Sequence, residues 1–519
     1  VNLAARIQST ADDDTAVISQ STAKLVHGYF ELQSLGRQRL KGFTSSVELF
    51  RVLRPTGART NLDAASRRGL TPHVGRELES AGLAEVWREV REGADRVVIV
   101  RGEAGIGKSR IVHRFRHTVL NAPALVVDCY CSPLAQATAF APLVESLDRR
   151  IIERVPGNAT PEAKVEALRT MLGEHSRFEA DALPLMAALL SLPAVDDAPI
   201  SDWSPVRRRL RTLETLREWV ASLAERLPLA LLVEDVHWAD PSTLDFLDLL
   251  VRERPGGRTL VCVTARPEFV ARWSGPDVRT IEMPRLSGDE IAAMVSSVTG
   301  GRALPPLLVR RIAERSEGVP LFVEEVTKAV LESGALRIEG DRYELAGVFD
   351  EQLIPTTVHA SLLARFDRLG ESKSVAQLGA AIGREFSFPL IQAVAGIPDD
   401  KLQEHLNRIC RTELAFAHGQ PPVSIYVFKH ALIQDAVYGT LLKSDRSRVH
   451  ERIFVALRDK FPELIAARPE TAAYHAENAG RRDVAVSLFK DAGLRALRRT
   501  AVAEAAKHLE HAIEIVDAL

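Results

Sequence analysis

One stretch of eight residues constrains the fold of this 519-residue chain more than any other. Gly102-Glu103-Ala104-Gly105-Ile106-Gly107-Lys108-Ser109 fills every position of the pattern G-x-x-x-x-G-K-[ST]. Before it, Val97-Val98-Ile99-Val100 is an unbroken apolar run, typical of a strand buried on both faces. After it, Ile111, Val112 and Phe115 carry the spacing of an amphipathic helix. In a strand–loop–helix unit the glycines let backbone N–H groups wrap around an anion, and the helix presents its positive end to the same charge. Lys108 is then placed to reach the β- and γ-oxygens of a nucleoside triphosphate, with Gly102, Gly105 and Gly107 shaping the cradle. The Ser109 hydroxyl is placed to face Mg2+. Such a unit needs parallel neighbours. Apolar runs at 124–130, 229–233 and 259–264 supply them, separated by long helical stretches that serve as crossovers.

A second element follows. The apolar strand 229–233 runs into Glu234-Asp235. One carboxylate at a strand end can hold the metal shell while its neighbour orients an attacking water. Arg266 comes just after the strand 259–264, where a guanidinium could sense the γ-phosphate. Val74-Gly75-Arg76-Glu77 lies upstream of the loop, and Gly318-Val319-Pro320-Leu321 well downstream.

These five elements, in this order, resemble a STAND-type ATPase, a signal-transduction branch of the AAA+ and P-loop NTPases. Val233-Glu234-Asp235-Val236-His237-Trp238-Ala239-Asp240 is similar to that family's Walker B signature. The resemblance implies that Gly75 and Arg76 contact the adenine, that Arg266 is the sensor arginine and that Pro320 sits in the lid against the base. It also implies a switch operated by ATP and ADP. The family usually has Asp where this chain has Glu234, so which of Glu234 and Asp235 approaches the metal stays open. The resemblance covers residues 72 to about 345, and more loosely the chain to 519.

Residues 1–54 read as a helix (1–7), a strand (16–19), a helix from about 21, then strands at 29–35 and 47–53. Val1 opens directly on helical patterning, which predicts that the chain begins inside a domain. Residues 55–71 read as a linker. The pieces Val1-Asn2-Leu3-Ala4-Ala5-Arg6, Val17-Ile18-Ser19, Leu40-Lys41-Gly42 and 47–52 resemble the C-terminal end of a class III adenylate or guanylate cyclase domain. Asn2 and Arg6 are i, i+4 neighbours, a neutral donor and a fixed guanidinium suited to charge developing on a phosphoryl group. The resemblance gives them that role and gives Lys41 the triphosphate. The metal-binding aspartates of that family lie outside the sequence, so the fragment is expected to make no cyclic nucleotide by itself.

The remaining regions are a helical lid (286–349), a winged-helix-like arm (350–460) and a helical segment (461–519). The arm has a short strand near 424–428. Ala485-x3-Phe489-x2-Ala492 recurs as Ala505-x3-Leu509-x2-Ala512, the small–large–small spacing of closely stacked helices. A TPR-like repeat and a plain helical bundle both fit. The expected fold is therefore α/β: a P-loop parallel-sheet core (72–285) with lid, arm and repeat tail, preceded by a remnant of an α+β cyclase domain (1–54).

Charge and cysteines narrow the partners. The net charge of −2 gives no field for nucleic acid or an anionic membrane. Region 351–460 holds fourteen Lys/Arg against twelve Asp/Glu, without the basic stripe of a DNA reader. Arg207-Arg208-Arg209 and Arg211, interleaved with Leu210, Leu213 and Leu216, read as the solvated face of a helix. Cys129, Cys131, Cys262 and Cys410 have no metal-type spacing, and a reducing cytoplasm fits them. No apolar run approaches the roughly 18 residues of a membrane span. The expected ligands are ATP or ADP with Mg2+. A protein or small-molecule signal at the helical arm and self-association complete the expected partners. The alternative is an ATP-dependent transcriptional regulator whose DNA-binding domain lies outside this stretch.

Overall fold

The structure is a computed structural model. It describes residues 7, 15–19, 23, 30–38, 46–55, 74–155, 160–173, 178–193, 200, 202–333, 335–345, 358–412, 414–418, 421, 424–429, 431–498 and 501–518. Asn2, Arg6, Lys41 and most of the 55–71 linker lie outside the described residues. The chain divides into two compact units. One gathers Gly75–Leu286, Val319–Leu321 and Leu457–Leu519; the other gathers Val1–Val74, Ser287–Gly318 and Phe322–Ala456.

The first unit is built on a five-stranded, wholly parallel sheet. Its strands are β1 (Arg96–Arg101), β2 (Leu125–Tyr130), β3 (Leu229–Glu234), β4 (Thr259–Ala265) and β5 (Val278–Glu282), in the spatial order β2-β3-β4-β1-β5. Alternate side chains of each strand enter different cores, as the two-residue period requires. Val97, Ile99, Val127, Leu231, Val233 and Val263 join one core; Val98, Val100, Val126, Ala230, Leu232 and Cys262 join the other. Burial on both faces is why these strands read as continuous apolar runs.

Helices α1 (Glu77–Arg91) and α2 (Lys108–Leu120) bring Trp87, Ile111 and Phe115 to the second core. Helices α3 (Ala141–Ile152), α4 (Pro205–Arg226) and α5 (Pro241–Arg252) bring Leu147, Trp219 and Phe246 to the first. Ser204 caps α4 by accepting from the Arg207 N–H. The arginines of α4 are engaged within the unit. Arg211 pairs with Asp181 at 2.8 Å and Glu218 at 2.9 Å, and Arg209 with Asp245 at 2.5 Å. The chain's last helices, α6 (Pro469–Asn478), α7 (Arg482–Arg498) and α8 (Val502–Asp517), pack in sequence, α6 on α7 and α7 on α8. The small residues of the recurring pattern, Ala485, Ala492, Ala505 and Ala512, are buried between them, with Ala505 also in the first core.

The second unit holds an antiparallel sheet of Ala16–Ser19, Val47–Pro55 and Phe30–Gln38, with Val47–Pro55 in the middle and Leu49 fully buried. It also holds a hairpin (Leu336–Glu339 with Arg342–Leu345). A second three-stranded antiparallel sheet places Ile425–Phe428 between Glu385–Ser387 and Ala415–His418. Around that sheet the order is helix (Lys373–Ile382), strand, two helices (Phe388–Ala395 and Asp399–Arg411), strand, strand.

Three elements depart from the sequence reading. β5 exposes Arg279, Thr280 and Glu282 and buries only Ile281, so this edge strand presents no apolar run. The hairpin at 336–345 interrupts a region expected to be helical; Arg337 pairs with Glu344 across it, and Arg342 pairs with Glu344 along the second strand. Ala415–His418 is a strand the sequence pattern did not announce. Among the described residues, no helix is long and apolar enough to cross a membrane.

Candidate functional site

The site forms where β1, β3 and β4 end. Gly105 and Gly107 take positive φ, +79° and +104°, which lets the loop turn into α2 without the strain a side chain would bring. A Cβ on Gly102 would lie 2.9 Å from both the Ile106 and Met283 side chains, so only glycine fits there. Helix α2 starts on Gly107 with no side-chain cap, leaving its first N–H groups pointing at the loop's concavity. Lys108 is buried, and its ammonium donates to the Gly102 carbonyl at 2.8 Å and the Glu103 carbonyl at 2.9 Å. Burial lowers its pKa; Asp235, Glu268 and Glu234 oppose the shift and Arg266 adds to it.

The carboxylates of Glu234 and Asp235 stand half-buried at the end of β3. Asp235 adopts a left-handed backbone, φ +57°, and donates its N–H to the Thr264 hydroxyl of β4 at 2.8 Å. A tight turn follows, with Trp238 N–H donating to the Asp235 carbonyl at 2.8 Å and Ala239 N–H to that of Val236 at 3.0 Å. Arg266 leaves β4 beside the loop, because Gly102 N–H donates to the Ala265 carbonyl at 3.2 Å. Its guanidinium lies 5.4 Å from the centre of the Trp238 ring.

The two weaker motifs also arrive here. Arg76 is buried in a left-handed conformation, φ +81°, and Gly75 beside it is also left-handed, φ +65°. Arg76 donates to the Ile106 carbonyl at 3.4 Å and pairs with Glu79. The segment with Pro320 meets the loop through Leu321, whose N–H donates to the Gly105 carbonyl at 3.2 Å. Gly75, Arg76, Pro320, Gly102, Gly105, Gly107, Lys108, Ser109, Glu234, Asp235 and Arg266 therefore belong to one neighbourhood.

His237, Trp238 and Asp240 are the participants whose roles the sequence did not disclose. Both ring nitrogens of His237 are buried without a hydrogen-bond partner among the described residues, and burial lowers its pKa while Asp235 opposes the shift. Asp240 caps α5, accepting from the Thr243 N–H at 2.9 Å, the Thr243 hydroxyl at 2.7 Å and the Phe140 N–H at 2.8 Å. Asp240-Pro241 is a helix-start signature that could have been read in advance. Cys129 and Cys262 are buried and their thiols pushed up to about 12, which keeps them inert.

The donor set suits a nucleotide polyphosphate with a hard cation. An uncapped helix end and an ammonium face the phosphates, while a hydroxyl and two carboxylates supply the oxygen ligands a magnesium ion takes.

Comparison with known proteins agrees for the core. Residues 72–263 match the AAA ATPase domain family. An uncharacterized protein of Rhizobium meliloti (strain 1021) is 29% identical over 99% of this chain, which spans 49% of that protein's length. A signal transduction ATPase with numerous domains and a tetratricopeptide repeat sensor, from Pyrococcus horikoshii, is 13% identical. The alignment covers 86% of this chain and 65% of that one, with a TM-score of 0.43. Cdc6p from Pyrobaculum aerophilum is 15% identical, covering 72% of this chain and 96% of its own, with a TM-score of 0.32.

Proposed function

We propose that the parallel-sheet unit binds ATP with Mg2+ and hydrolyses it slowly, as the switch of a STAND-type signal-transduction ATPase. The observation that carries this reading is the convergence of Lys108, Glu234, Asp235 and Arg266 at the ends of three adjacent parallel strands. Lys108 leaves its two loop carbonyls and turns its charge to the phosphates. Ser109 with Glu234 or Asp235 holds the magnesium, which when bound offsets the charge of the β- and γ-oxygens. The other carboxylate orients water. Arg266, steadied against Trp238, faces charge developing on the γ-phosphoryl group. Gly75, Arg76 and Pro320 border the base.

Titration with a fluorescent ATP analogue and a phosphate-release assay test this reading. Lys108→Ala is expected to weaken binding by at least about tenfold. Of Asp235→Asn and Glu234→Gln, the one that alters the water-orienting carboxylate is expected to keep binding but lose about a hundredfold or more in turnover, the usual scale for removing a group that activates the nucleophile, and the other to weaken the dependence of binding on Mg2+. Unchanged binding in Lys108→Ala sinks the reading.

For the longer protein, the N-terminal motifs support a fused class III cyclase that makes a cyclic nucleotide from ATP, controlled by the nucleotide state of the switch. The helix–strand–helix–helix–strand–strand order at 373–428 supports a winged-helix-like arm, and the packed pairs of α6, α7 and α8 support a TPR-like segment that receives a signal. Cyclic-nucleotide assay of the intact protein and of its Lys108→Ala variant tests the coupling; equal output from both removes it. A helix-turn-helix in the adjoining sequence would instead favour a transcriptional regulator.

A further inference from the structure

The start of α5 directly follows the turn that carries Glu234 and Asp235, and it draws one of its hydrogen-bond acceptors from the far end of the chain. A helix start leaves its first N–H groups without partners inside the helix. At α5 three positions show how this is met. Pro241 has no N–H. Thr243 N–H goes to the Asp240 carboxylate at 2.9 Å, and Leu244 N–H to the Asp240 carbonyl at 3.1 Å. Ser242 N–H goes to Glu504 of α8, at 2.9 Å and 262 residues away. Glu504 is fully buried, and its second oxygen has no hydrogen-bond partner among the described residues.

Neighbouring contacts brace the same region. His508, one turn beyond Glu504, meets the Ala137 carbonyl at 2.8 Å, and Glu470 of α6 accepts from the Thr138 hydroxyl. The loop holding Ala137 and Thr138 ends at Phe140, whose N–H donates to Asp240 at 2.8 Å. The C-terminal helices thus hold the loop after β2 and the first turn of α5, and the two meet at Asp240.

We propose that Glu504 is a positioning residue of the nucleotide site: by holding the Ser242 N–H it fixes the start of α5, and through Asp240 the turn that presents Asp235 and Trp238. The proposal rests on the ATPase reading above. It assigns the C-terminal helical segment a direct hold on the hydrolytic side of the site, away from the phosphate loop. A carboxylate needs no charge for this, only an acceptor oxygen, so glutamine should serve and alanine should not.

The test uses the full chain and its Glu504→Ala and Glu504→Gln variants. Expected for Glu504→Ala is a fall in kcat of about tenfold or more, as small misplacements of catalytic groups produce, with ATP-analogue affinity within about twofold of wild type. Glu504→Gln should restore most of the turnover. Amide hydrogen exchange without nucleotide gives a second measurement. Residues 235–243 and Phe140 should exchange about tenfold faster in Glu504→Ala, with β1 and β4 unchanged. Turnover and exchange near wild type in Glu504→Ala would overturn the proposal, and so would a Glu504→Gln variant as impaired as alanine. If wild type turns over no ATP, the ATPase reading fails by itself, and the exchange pattern still decides whether Glu504 holds the turn.

Discussion

Asp240 accepts three hydrogen bonds at 1% exposure, yet burial pushes its carboxyl up to about 7, with the nearby charge of Glu504 adding to the rise. A carboxyl whose folded value exceeds its unfolded one stabilises the fold most fully below the unfolded value, about 4, and that stabilisation is lost as pH rises from there through about 7. Asp240→Asn keeps an acceptor for Phe140 and removes the charge. Its melting temperature should therefore exceed wild type at about pH 8, with the gap narrowing towards about pH 5; a gap that widens on acidification contradicts the assignment. Glu504 marks the limit of what sequence discloses. Lys108 and Ser109 were legible because their chemistry is complete within eight consecutive residues. Glu504 lies in an Ala-Glu-Ala-Ala run on a tail helix and looks like any solvated glutamate until the fold brings Ser242 to it. Asn2, Arg6 and Lys41 rest on resemblance alone, since they fall outside the described residues.

At the level of elements, legibility followed burial. β1 to β4 were found because each carries a mostly apolar run buried on both faces, whereas β5, with one buried residue, left no signal. The pairing of α7 with α8 was visible as a spacing of small residues, and Gly493 shows how closely they approach. A Cβ there would lie 2.7 Å from Leu509 Cγ and 2.9 Å from its Cδ2. Gly493→Ala gains about 1 kcal/mol of helix propensity, but overpacking of this kind costs about 1–3 kcal/mol. The variant is therefore expected to be no more stable than wild type in urea unfolding. Adding Leu509→Ala opens the space, so the alanine at 493 should be stabilising in that background, with a coupling of roughly 0.5–3 kcal/mol. Simple additivity of the two changes would mean that the helices do not meet at these residues.

The molecule as a whole carries its own reporter for the nucleotide unit. Its five tryptophans, Trp87, Trp203, Trp219, Trp238 and Trp273, all fall within Gly75–Leu286. Thermal unfolding followed by tryptophan fluorescence therefore reads the parallel-sheet unit and is silent on the other. A ligand that binds only the folded state stabilises it by about 2.7 kcal/mol at a hundred times its Kd. For a unit of this size that corresponds to a rise of about 4–5 °C in the tryptophan midpoint. Mg-ATP should produce this rise in wild type. It should fail to do so in Lys108→Ala. Trp238 adds a local signal: a γ-phosphate that draws Arg266 off its ring changes the emission of the folded protein before any unfolding begins. A midpoint shift that survives in Lys108→Ala would place the nucleotide somewhere other than the loop at 102–109, and the roles assigned to Glu234, Asp235 and Arg266 would fall with it.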